Sequence, residues 1–193
     1  MADKFYTFTI KHNVNKVGEF CMFVLKTIDE IEHVIFQGNT QSQTRNFPKS
    51  VSFPFGELYR KIVTSIKSKE ISAECMLYDS VQSYNITTNY WNDSSNEDLK
   101  KYWFVGENGQ GDSWVMDMDG KIYFYDHDIE DLAVQNFIDL NISFEQWLKF
   151  AYLNKDLETV WRENKYDEKT KQEYLNTLRE IGENLLTNYP FDL

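Results

Sequence analysis

Residues Lys101–Asp128 read KYWFVGENGQGDSWVMDMDGKIYFYDHD, and the pattern of this stretch decides the fold. Tyr102, Trp103, Phe104 and Val105 form a β-prone apolar run that ends at Gly106. Asn108, Gly109, Gln110 and Gly111 follow, residue types that tolerate the positive φ of a chain reversal. A second run, Trp114, Val115 and Met116, is separated from a third, Ile122 to Tyr125, by Asp117, Met118, Asp119 and Gly120. An Asp-Gly pair between two apolar runs is the strongest short-range hairpin signal a sequence carries. Three consecutive antiparallel strands joined by two tight turns are therefore expected here, with the rest of the chain packed around them.

Working outward toward the C-terminus, His127 to Ala133 reads as an acidic loop and Val134 to Leu140 as one more strand or a short turn. Ser143 with Gln146 three residues on makes a capping box, and Phe144, Trp147, Leu148 and Ala151 then recur at helical spacing. A final helix is expected between Asp167 and Leu186, with Tyr174, Leu178, Ile181 and Leu185 on one face. Toward the N-terminus, Asn92 to Asp98 is a polar loop. Ile71 to Tyr90 reads as one or two strands, because Ala73, Cys75, Leu77 and Val81 alternate and Tyr84, Ile86 and Tyr90 are β-prone. Leu58, Ile62, Val63 and Ile66 predict a short helix ending near Ser68, and Gly38 to Ser50 reads as a mobile loop. Apolar residues from Val17 to Ile35 predict one long helix stopped at Gly38, preceded by an edge strand over Lys4 to Lys11.

A chain of 193 residues buries roughly 70% of its unfolded surface, enough for a core without metals or disulfides. Its 41% hydrophobic content excludes disorder, and no apolar run is long enough to span a bilayer. The N-terminus lacks the basic-then-apolar order of a signal peptide, and Cys21 and Cys75 lie far apart. A soluble cytoplasmic protein with two reduced, buried thiols is expected. Charge is unevenly divided: residues 106–142 hold nine acids and one base, whereas residues 1–105 are balanced at twelve of each. The acidity of the meander argues against nucleic acid and for a basic partner, against the plain alternative of a solvated acidic surface.

Val105 to Asp128 resembles the central signature of the SUKH superfamily: a strand ending in Gly, a turn closing on Gly-Asp, a second strand, an Asp-Gly turn and a strand ending in Tyr-Asp-His-Asp. Ile142 to Leu148, ISFEQWL, matches the Ser-Phe-Glu helix start seen in that family. The helix and Leu-Pro opening of many members is missing from the N-terminal half. The superfamily includes bacterial immunity proteins, fungal cell-wall-synthesis regulators of the Smi/Knr type and the SecY-interacting protein Syd. The resemblance and the residue pattern together predict an α+β fold, a central antiparallel sheet centred on residues 101–126 and covered by N- and C-terminal helices. One domain over residues 1–193 is expected, with 167–193 as a C-terminal helical extension.

Catalytic motifs are not evident. His12, His33 and His127 stand in no metalloprotease pattern, and Gly109 and Gly111 lead into a strand where a phosphate cradle needs a helix N-terminus. Asp117-Met118-Asp119-Gly120 begins like a calcium loop but lacks the later ligands. Asp126, His127 and Asp128 are the best metal cluster, although alternation along a strand would point them to different sides. The resemblance implies a non-enzymatic immunity protein without cofactors that neutralises a cognate toxin, a nuclease being one option. A basic toxin would be steered by Asp112, Asp117, Asp119, Asp126, Asp128, Glu130 and Asp131. Two alternatives stay open: a regulatory adaptor for a host enzyme or membrane complex, and a metal-dependent hydrolase built on Asp126, His127 and Asp128.

Overall fold

The computed structural model describes residues 22–38, 40–94, 96–129, 132–188 and 190–191. The expected strand over Lys4 to Lys11, His12, Cys21, Glu130 and Asp131 lie outside the described residues. At the centre is a six-stranded sheet, β1 (Lys69–Ser72), β2 (Cys75–Leu77), β3 (Tyr102–Glu107), β4 (Ser113–Asp117), β5 (Lys121–Tyr125) and β6 (Ile138–Ser143). Each strand pairs antiparallel with the next, so spatial order equals chain order. The predicted meander is β3 to β5. Gly120, at φ +82°, takes the left-handed position of the β4–β5 turn, and Asp117 accepts the backbone N–H groups of Asp119 and Lys121 through Oδ1. Gly106 is required for a different reason: a Cβ there would lie 2.1 Å from the Met76 carbonyl oxygen, so only glycine lets β2 pair with β3.

One face of the sheet carries Trp103, Val105, Trp114, Met116, Ile122, Phe124, Leu140 and Ile142 into the main core. Against it lies α4 (Phe144–Arg162), started by the predicted Ser143–Gln146 capping box. Helices α1 (Ile28–Phe36), α2 (Glu57–Val63) and α5 (Glu168–Ile181) complete this layer. α5 places Tyr174, Leu178 and Ile181 in the same core, so the C-terminal helix packs as part of this layer. Among the described residues no helix is long and apolar enough to cross a membrane.

Three local expectations need correction. α1 begins only at Ile28: Thr27 is extended and forms a capping box with Glu30, and residues 22–27 are not helical, although Phe23 still reaches the core. α2 stops at Val63, with Thr64 as C-cap, and the loop before it is stitched to its end by Gln41 N–H to the Ser65 carbonyl (2.8 Å) and Arg45 N–H to the Thr64 carbonyl (2.9 Å). The largest change is helix α3 (Ser80–Asp93), which replaces the strand expected up to Tyr90 and the start of the loop expected from Asn92. Asp79 caps it by accepting from Val81 N–H and Gln82 N–H. Its buried face is Ser80, Ser83 and Thr87, hydroxyls at helical spacing: Ser80 donates to the Arg45 carbonyl, while Ser83 and Thr87 complete the hydrogen bonding of β3. β2 pairs only with Gly106 and Glu107; beyond it, Ser83 Oγ donates to the Phe104 carbonyl (2.6 Å) and Phe104 N–H donates to Thr87 Oγ1 (3.0 Å). A polar helix thus takes the place of a strand along the upper half of β3.

Candidate partner-binding face

The acids singled out in the meander fall at two ends of the sheet. β4 has Asp112 just before its first residue and Asp117 as its last, a separation of about 16 Å at roughly 3.3 Å per residue. Asp126 and Asp128 follow β5 at the Asp112 end, whereas Asp119 sits in the turn next to Asp117. These residues therefore form two sites.

At the first end Asp112 is buried and fully engaged. Its Oδ1 accepts from His127 N–H (3.0 Å) and bonds His127 Nδ1 (2.6 Å), while Oδ2 accepts from Asn108 Nδ2 (2.7 Å). Asn108 in turn accepts the N–H groups of Gln110 and Asp112, so the β3–β4 turn and the segment after β5 are locked together. Burial pushes the Asp112 carboxyl up, but the side-chain and backbone hydrogen bonds from His127 and that from Asn108 outweigh it and hold the group below the usual carboxylate range. The same bond raises His127 above the ordinary histidine value, with Asp128 and Asp126 adding to the effect. Asp112, Asp126 and His127 offer donor atoms within 4.8 Å of one another. The contacts described are those of a latch: the 2.6 Å Asp112–His127 bond ties the β3–β4 turn to the segment after β5. Asp128, expected in the cluster, is instead exposed and 3.5 Å from His127 Nε2.

At the second end the sheet presents its other face. Tyr102, Asp117, Tyr123 and Asp139 come from four adjacent strands, with Tyr102 opposite Asp117 and Tyr123 opposite Asp139. The rings of Tyr102 and Tyr123 meet edge to face at 5.5 Å, and Tyr102 stands on Phe137 at 5.0 Å. Phe104, Val115, Tyr125 and Phe137 form a smaller core beneath them. Both tyrosines are half-buried, and the Tyr123 hydroxyl donates to Asp117 Oδ2 at 3.1 Å. Burial raises both phenols, followed by the negative charge of Asp117; Asp139 acts on both, and Asp98 on Tyr102. They therefore stay protonated donors at neutral pH. At the rim, Met118 is 48% exposed at the turn tip beside exposed Asp119. Rigid aromatic rings with exposed apolar area, surrounded by carboxylates, have the composition of a binding hot spot for a cationic surface.

Three of the residues on this face, Tyr102, Tyr123 and Asp139, were not among the expected site residues, although the tyrosines were evident as aromatics of the meander. Only the register across β3 to β6 brings them together. No protein-family model, curated protein or solved structure matches the chain.

Proposed function

We propose that this protein is a non-enzymatic binding protein of the immunity type, which neutralises a basic protein toxin by covering it. The observation that carries the reading is the Tyr102–Tyr123 pair, half-buried on a sheet face and edged by Asp98, Asp117 and Asp139, with Asp119 in the turn next to Asp117. The rings supply contact area at little entropic cost, because the Asp117 bond already holds Tyr123, and Tyr102 is held against Tyr123 and Phe137. The carboxylates accelerate encounter with a positive surface and select against acidic ones. Asp126 and Asp128, at the far end of the sheet, contribute to the long-range field, while buried Asp112 organises its loop. The SUKH-like pattern of Val105 to Asp128 supports a toxin as the partner, and the free buried Cys75 suits a cytoplasmic setting.

A tagged pull-down from the native host at low and high salt, with mass spectrometry of the bound proteins, tests this. One stoichiometric partner bearing a basic toxin domain, retained by the wild type and lost with Tyr123→Ala or Asp139→Lys, is the expected result. Recovery of a host biosynthetic or membrane complex would replace the toxin with an adaptor role, and capture unaffected by both substitutions would remove this face from the interface.

A further inference from the structure

A second surface has the opposite charge. Within residues 40–69 the chain carries six cations, Arg45, Lys49, Arg60, Lys61, Lys67 and Lys69, and a single acid, Glu57, in a protein whose net charge is −11. Lys61 is paired with Glu32, but Arg45, Lys49 and Arg60 have no carboxylate partner among the described residues, although acids outnumber bases in the chain. In the same region a cleft of about 250 Å³ opens between the loop before α2 and α2 itself, lined by Phe47, Pro48, Lys49, Val51, Phe55 and Arg60 together with Asn46. Its aromatic wall is fixed. Phe47 and Phe55 stack at 4.3 Å, both press edge-on against Trp103 at 5.4 and 4.8 Å, and the Trp103 indole N–H is held by Tyr59 Oη at 3.1 Å. The Arg60 guanidinium lies 5.9 Å from the Phe55 ring centroid.

We propose that this cleft is a docking site for an acidic protein segment that inserts one aromatic side chain. Size and charge select this occupant. A volume of about 250 Å³ falls below the roughly 300–1,000 Å³ of small-molecule sites, yet it is large enough for a single ring packed beside the Phe47–Phe55 stack. Two exposed cations without carboxylate partners among the described residues, Lys49 and Arg60, line it, and Arg45 precedes the lining residue Asn46 in the chain, so carboxylates flanking that ring would gain partners without displacing an existing one. Arg60, already over an aromatic face, can pair with a carboxylate bidentately while keeping its ring contact. The site is separate from the acidic face and opposite in sign, so the two can be occupied by different partners or by two regions of one partner.

The test uses the full chain and a fluorescein-labelled peptide in which one Phe is flanked on both sides by glutamates, read by fluorescence anisotropy at low salt. Binding is expected, weakened at least tenfold by Lys49→Gln with Arg60→Gln, and weakened at least tenfold when the peptide Phe is replaced by Ala. Both protein substitutions are at exposed positions, and an unchanged melting temperature will show that the fold is intact. Tyr123→Ala should leave the peptide affinity unchanged, which separates this site from the acidic face. Absence of binding, equal binding by the Lys49/Arg60 variant, or equal binding by the Phe-less peptide would overturn the proposal. So would a single-stranded oligothymidine that binds more tightly than the peptide, which would assign the cations to nucleic acid.

Discussion

Thr87→Val isolates the role of α3 as a substitute strand. The substitution preserves shape, so no cavity opens, but it removes the hydroxyl that accepts Phe104 N–H at 3.0 Å. Both residues are fully buried, so water cannot replace the lost acceptor. An orphaned buried donor costs about 1–3 kcal/mol, and a mid-range cost of about 2 kcal/mol lowers the melting temperature of a chain this long by roughly 4–8 °C. Ser83→Ala should cost at least as much, since Ser83 Oγ serves the Phe104 carbonyl and also accepts from the Trp103 indole. Thr88→Val, one residue along the same helix, removes only donation from a half-buried hydroxyl to the Tyr84 and Asn85 carbonyls of its own helix and should stay within about 0.5 kcal/mol. Thermal and urea unfolding give the energies, and amide hydrogen exchange at Phe104 locates the effect. Wild-type stability in Thr87→Val, with the Phe104 amide equally protected, would refute the assignment of α3 to the open half of β3.

Further outcomes follow from other parts of the molecule. The Asp112–His127 pair gives a pH-dependent stability: the raised His127 contribution is complete below its ordinary value of 6.5 and fades as pH rises through the raised one. The lowered Asp112 contribution is complete above 3.8 and is lost as pH falls through its lowered value. The stability difference between wild type and His127→Gln should therefore be largest between pH 3.8 and 6.5 and smaller at pH 8, as read by urea unfolding at each pH. Gly106→Ala forces a Cβ against the Met76 carbonyl and should destabilise by about 1–3 kcal/mol, with exchange protection lost first in β2. Cys75 is fully buried, and burial holds its thiol well above the ordinary value, so a thiol reagent should modify it only in denaturant.

What the sequence made legible was wherever apolar periodicity and turn chemistry agreed. The meander combined β-prone apolar runs with Gly120 and Gly111 at turn positions, and α4 combined a capping box with an apolar stripe. α3 escaped because its buried stripe, Ser80, Ser83 and Thr87, is made of hydroxyls, and a search for apolar spacing passes over a helix whose inner face bonds to backbone. The early start expected for α1 had the opposite cause: apolar spacing continued through residues that Thr27 and Glu30 separate from the helix. The acids of the candidate site were visible as a charge excess, but a linear count cannot tell Asp112, turned inward onto His127 and Asn108, from Asp119, exposed at a turn. Nor can it place Asp139 opposite Tyr123, a neighbour relation created only when β6 pairs with β5.

A basic partner is proposed to seat on the Tyr102–Tyr123 face. Differential hydrogen exchange of this protein, alone and with the captured partner, tests it most directly. New protection at Tyr102, over Asp117 to Tyr123 and around Phe137 to Asp139, diminished by Asp139→Lys, is the predicted result. Protection confined to the latch at Asp112 and His127 or to α5, with none at Tyr102 or Tyr123, would contradict it.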